Sequence, residues 1–122
     1  MKVFFDGGCR PNPGIMEIAV VAAGRTTILP DLGYGGSMDA EWLALIHAAK
    51  IAWTLGPSPV VLMGDARDVI AKAGGTLRCH GDAARYRQRF LAIAAAAPPL
   101  RLRYVKRSQN LAGIALARRH LR

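Results

Sequence analysis

Only eight of the 122 residues are acidic, and three of the eight stand where chemistry could use them. Asp6 precedes two glycines, Glu41 falls near the start of a helical pattern, and Asp65 follows the apolar run Val60 to Met63. Carboxylates brought together repel one another unless a cation neutralises them, and hard oxygen donors select Mg²⁺ or Mn²⁺. Such a cluster on a basic protein suits two-metal hydrolysis of a phosphodiester. Each acid also has a plain structural use. Asp6-Gly7-Gly8 can form a turn, Glu41 can favour a helix dipole, and Asp65 can cap the helix after it. Taken singly, those uses are the better reading. The functional reading rests on the set.

The charge points the same way. Lys and Arg total 17, a formal net charge of +9. Residues 1–69 carry five bases and seven acids, whereas residues 70–122 carry twelve bases and one acid, Asp82. A basic half on a small domain fits a polyanionic partner such as nucleic acid, although Arg-rich and Ala-rich coding bias gives a similar composition. Hydrophobic residues make up 52%, which excludes a disordered chain. The longest apolar stretch, Leu91 to Leu100, is interrupted by Pro98 and Pro99 and is too short to span a membrane. No leader peptide is expected, because Asp6 ends the apolar start. Cys9 and Cys79 lack metal-ligand spacing and read as reduced thiols, which suggests a cytoplasmic protein.

The elements that must position the three acids follow from periodicity. Lys2 to Cys9, Met16 to Ala23 and Thr26 to Tyr34 read as strands of an antiparallel meander, broken by glycine-rich and proline-rich turns. Trp42, Leu45, Ile46, Ala49, Ala52 and Trp53 recur at helical spacing, capped by Ser37 or Asp39 and ended at Gly56-Pro57. Val60 to Met63 is a fourth strand. Helices are expected from Asp65 to about Gly74, over 82–97 and over 110–121, with a fifth strand over 100–105 between the last two. Residues 1–122 are thus expected to form one α/β domain with a mixed five-stranded sheet. Strands one and four would be parallel neighbours, and the crevice at their ends would hold Asp6, Asp65 and Glu41.

On these residues the chain resembles type 1 ribonucleases H. Phe5 to Gly14 is similar to that family's opening strand and turn, Ala40-Glu41 to its second acidic motif, Gly64-Asp65-Ala66 to its third, and Asn110-Leu111-Ala112-Gly113 to the start of its last helix. The resemblance spans the whole chain. It implies cleavage of the RNA strand of RNA–DNA hybrids by in-line attack of water that leaves a 3′-hydroxyl, with two divalent ions held by Asp6, Glu41 and Asp65. It also implies that Asn12 contacts the hybrid's groove, while Gly7, Gly8 and Gly14 let backbone approach the nucleic acid. Lys106 and Arg107, just before the last helix, are the expected phosphate contacts.

The chain departs from the family at several points. Gly113 stands where the family has a fourth carboxylate, so a nucleic-acid-binding relative with weak or lost catalysis is the alternative. Ser37 and Met38 replace two asparagines, the loop Lys106-Arg107-Ser108-Gln109 lacks a histidine, and the segment Thr76 to His80 is too short for the basic protrusion. The chain therefore reads as a minimal form. Glu17 lies in an otherwise apolar strand. If the first two strands pair with residue numbers summing to about 23, Glu17 faces Asp6 and could replace the missing carboxylate. Alternatively it reaches solvent or pairs with an arginine.

Overall fold

The computed structural model describes residues 1–120. Strands β1 (Lys2–Cys9), β2 (Gly14–Ala22) and β3 (Arg25–Leu29) form the meander, followed by a two-residue strand β4 (Tyr34–Gly35). Helix α1 (Ser37–Trp53), strand β5 (Val60–Gly64), helices α2 (Arg67–Ala73) and α3 (Gly81–Ala96), strand β6 (Leu100–Tyr104) and helix α4 (Leu111–Arg119) complete the order. The sheet runs β3-β2-β1-β5-β6, with β4 paired to β2. β1 and β2 are antiparallel, whereas β1 is parallel to β5 and β5 to β6. This is the mixed sheet expected from the sequence, with β1 and β5 adjacent.

The expected third strand is divided. Pro30 offers no N–H to a ladder, and Asp31 and Gly33 take positive φ of 56° and 93°, so the chain leaves β3 and rejoins β2 as β4. Helix α1 starts after Gly36, whose N–H donates to Asp39 Oδ2 at 2.9 Å, so Asp39 caps from inside the first turn. The residue before α2 is Ala66, which leaves Asp65 free of a capping role. No helix lies between α2 and α3, in agreement with the minimal form. The final helix ends at Arg119, and Leu121 lies outside the described residues.

One face of the sheet carries Val3, Phe5, Val20 and Leu62 against Trp42, Leu45, Ala49 and Phe90 of the helices. Burying each large side chain of this set stabilises the fold by roughly 1.5–3 kcal/mol. Trp42 is 1% exposed and its ring lies 6.1 Å from that of Tyr86 on α3, nearly parallel. Trp53 has the same helical spacing but is 60% exposed. Ala52 beside it is fully buried, so the core reaches the last turn of α1 but leaves Trp53 at its edge, where the indole donates to the Ala96 carbonyl at the end of α3. On the opposite face α4 lays Ala112 and Leu116 over Ala19 and Phe4. Among the described residues, no helix is long and apolar enough to cross a membrane.

Candidate active site

Asp6 belongs to β1, Asp65 follows β5, and these strands are parallel neighbours, so both acids emerge at one end of the sheet. Glu41 reaches the same point from α1 because that helix approaches β1 very closely. A Cβ on Gly7 would lie 2.2 Å from the Ala40 carbonyl oxygen, which only glycine avoids. The Gly7 N–H donates to Glu41 Oε1 at 2.9 Å and fixes the carboxylate. Asp6, Glu41 and Asp65 each offer an oxygen, and these atoms lie within 4.8 Å of one another.

A residue that spacing had marked only as a helix start completes the arrangement. Asn110 is fully buried. Its Nδ2 donates to Asp65 Oδ2 and to the Phe5 carbonyl, both at 3.0 Å, while its Oδ1 accepts from the Ala112 N–H at 3.1 Å. One side chain thus caps α4, grips β1 and orients Asp65. An Asn directly before a helical run is the signal for the cap; its reach to Asp65 depends on tertiary placement.

The electrostatics are those of crowded carboxylates. Burial, then the charge of Asp65, pushes the Asp6 carboxyl up to about 6. Burial, then the charge of Asp6, pushes Glu41 up to about 9, against the Gly7 hydrogen bond that favours its charged form. At neutral pH Glu41 therefore holds a proton that a divalent cation would displace, whereas Asp6 is largely ionised. Hard oxygen donors at this spacing fit Mg²⁺ or Mn²⁺. Arg107 borders the same cleft and lowers the Asp6 shift.

Gly113 faces this cluster. A Cβ there would lie 3.2 Å from Asp6 Oδ2 and 3.6 Å from Asp65 Oδ2. The missing fourth carboxylate is thus missing at the cluster itself.

Glu17 lies outside the group of three converging acids. The β1–β2 register pairs Asp6 with Ala19 and Gly8 with Glu17, two positions from the expected alignment. A shift of two keeps Glu17 on the face of Asp6, and it borders the same cleft. Its buried carboxylate, however, accepts from Arg119 Nε at 2.7 Å and pairs with His120 Nε2 at the end of α4. Burial would raise Glu17, but these two partners outweigh it and hold the carboxyl below its usual range. His120 thus shares the Glu17 carboxylate with Arg119.

The remaining expected contacts are divided. Asn12 sits beside the cleft, its Nδ2 donating to Ser37 Oγ and its Oδ1 accepting from the Ser37 N–H, both at 3.0 Å. Space lies open around Gly8, where an added Cβ would meet nothing within 4 Å, whereas the Gly7 N–H is occupied by Glu41. Lys106 borders a separate recess with Lys2 and Arg103.

The reverse transcriptase-like family matches residues 6–120. No curated protein matches the chain significantly. Ribonuclease H1 of the halophilic archaeon Halobacterium salinarum superimposes with a TM-score of 0.83 at 25% identity, over 94% of this chain and 92% of that one. The N-terminal ribonuclease H domain of a Mycobacterium tuberculosis protein gives 0.79 at 23% identity, over 98% and 97%. LC11-RNase H1 in complex with an RNA/DNA hybrid gives 0.76 at 18% identity, over 90% and 88%. The chain belongs to the reverse transcriptase-like family, in its type 1 ribonuclease H branch.

Proposed function

We propose that residues 1–122 act as one ribonuclease H unit that hydrolyses the RNA strand of RNA–DNA hybrids in the cytoplasm. The observation that carries this reading is the convergence of Asp6, Glu41 and Asp65, within 4.8 Å, at the ends of adjacent parallel strands. That one similar structure holds an RNA/DNA hybrid supports the substrate class.

In this reading Asp6, Glu41 and Asp65 hold Mg²⁺ or Mn²⁺, two ions in all. The ions supply Lewis-acid stabilisation of charge on the phosphate oxygens and favour deprotonation of the attacking water. The Gly7 N–H aims Glu41, and Asn110 aims Asp65. Asn12, locked to Ser37, and the open backbone at Gly8 meet the sugar edge of the groove, where a 2′-hydroxyl distinguishes RNA from DNA. Arg107 in the cleft and Lys106 beside it contact phosphates.

Gly113 favours a second reading, a hybrid-binding protein with weak or lost catalysis, because its open side leaves the cluster one carboxylate short. Incubation of hybrid labelled on either strand, with Mg²⁺ and separately with Mn²⁺, separates the two. The nuclease reading expects cleavage of the RNA strand alone. Tight binding of hybrid without cleavage in either metal supports the second reading, and no binding overturns both.

A further inference from the structure

The helices cover the two sheet faces unequally. On the face opposite α1, helix α4 packs over β1, β2 and β3. The register puts Lys2, Val61 and Arg101 in one row of that face and Phe4, Met63 and Arg103 in the next. Phe4 lies against the cluster under α4, which fixes the side on which all of these residues project. Lys2, Arg101 and Arg103 are exposed. Lys106 continues the series, sharing a recess with Lys2 and Arg103, and the next residue, Arg107, borders the carboxylate cleft.

The charges of this row are uncompensated. Neither β5 nor β6 contains an acid. Among the described residues none of Lys2, Arg101, Arg103 and Lys106 forms an ion pair, whereas Lys72, Arg85 and Arg119 all do. Charged residues on β6, a sheet edge, also discourage edge-to-edge pairing. That use does not account for Lys2, which belongs to β1 in the sheet interior. It does not account for the continuity with the cleft either.

We propose that Lys2, Arg101 and Arg103 form a nucleic-acid track that holds the sugar–phosphate backbone of the substrate beyond the cleavage site. The inference rests on the nuclease reading and extends it. β6 runs toward the cleft, with Tyr104 level with Gly64 just before Asp65. At about 3.3 Å per residue, Arg101 stands roughly 10 Å back along the strand, about three base-pair steps. The contacts are to phosphate, so they carry no base or sugar preference.

The test measures binding of a 20-base-pair RNA–DNA hybrid and of duplex DNA by fluorescence anisotropy in EDTA across a salt series. Lys2→Gln with Arg101→Gln and Arg103→Gln should flatten the slope of log affinity against log salt by about 2 to 3 on both duplexes and weaken binding at least ~10-fold at 0.1 M salt. Cleavage at limiting hybrid should slow in step with the lost affinity. Arg101→Lys with Arg103→Lys should retain the slope. Wild-type affinity and slope in the triple Gln variant, or aggregation of that variant with unchanged binding, would leave the row as an edge guard only and overturn the track. Normal hybrid cleavage by that variant with wild-type binding refutes the track alone. Loss of slope on duplex DNA in a protein that cleaves nothing refutes the nuclease reading and keeps the track.

Discussion

Gly113 and Asp6 face each other across the end of α4, so closely that a Cβ on Gly113 would lie 3.2 Å from Asp6 Oδ2. Gly113→Asp therefore adds a fourth carboxylate at the cluster. Without divalent metal, the extra like charge should lower the melting temperature. With Mg²⁺ the sign reverses, because the new oxygen becomes a ligand, and the Mg²⁺-induced rise in melting temperature should exceed that of the wild type. Thermal melts in EDTA and in Mg²⁺ check this. A rise no greater than the wild type would mean that position 113 does not reach the ions.

The raised carboxyls set a pH dependence. Glu41 is held at about 9 and Asp6 at about 6, against ordinary values of 4.5 and 3.8. The folded state thus keeps protons that the unfolded chain has released. Their stabilisation is complete below the unfolded values and is lost as pH rises through the folded ones. The metal-free protein should lose roughly 5 °C or more in melting temperature between pH 5 and pH 9. Glu41→Gln should remove most of that slope, and a parallel slope in the variant would show that other groups cause it.

Glu17 belongs to a different ion cluster, so its loss should read as stability. Glu17→Gln breaks charge-assisted bonds to Arg119 and His120 at a buried carboxylate, costing about 1–3 kcal/mol. Because Glu17 is held below its usual range, its contribution is present above pH 4.5 and fades as pH falls through the folded value. Hybrid cleavage should remain within a few-fold of wild type. Collapse of cleavage with unchanged melting would make Glu17 a metal ligand after all.

Gly7→Ala tests the approach of α1. Its Cβ would collide with the Ala40 carbonyl, backbone that cannot swing aside. Destabilisation of about 3 kcal/mol or more is expected, as for severe overpacking, with Glu41 displaced from its N–H donor. Denaturant unfolding measures it, and a near-neutral change would mean that α1 sits further out.

Much of this site is legible in the sequence because type and spacing are local. Asp6 stands in the first strand before Gly7, Glu41 near the start of a helical run and Asp65 after an apolar run, and element order brings the three together. What depends on tertiary detail is not legible. The β1–β2 register turns on where the Arg10-to-Pro13 connection reverses, and an error of two positions moved Glu17 from Asp6 to Gly8 without changing its face. Trp53, exposed beside the fully buried Ala52, shows that helical spacing does not reveal which side chains at a core's edge are covered. Helical spacing marks Asn110 only as the start of the last helix, and its grip on Asp65 depends on a contact 45 residues away.

The most direct test is single-turnover cleavage of labelled hybrid in Mg²⁺ by Asp65→Asn against wild type. Asn keeps the volume and removes the charge, so the rate should fall at least ~100-fold. The metal-free variant should melt no lower than wild type, since one of three crowded carboxylates is gone. Wild-type cleavage by a folded Asp65→Asn protein would contradict the account.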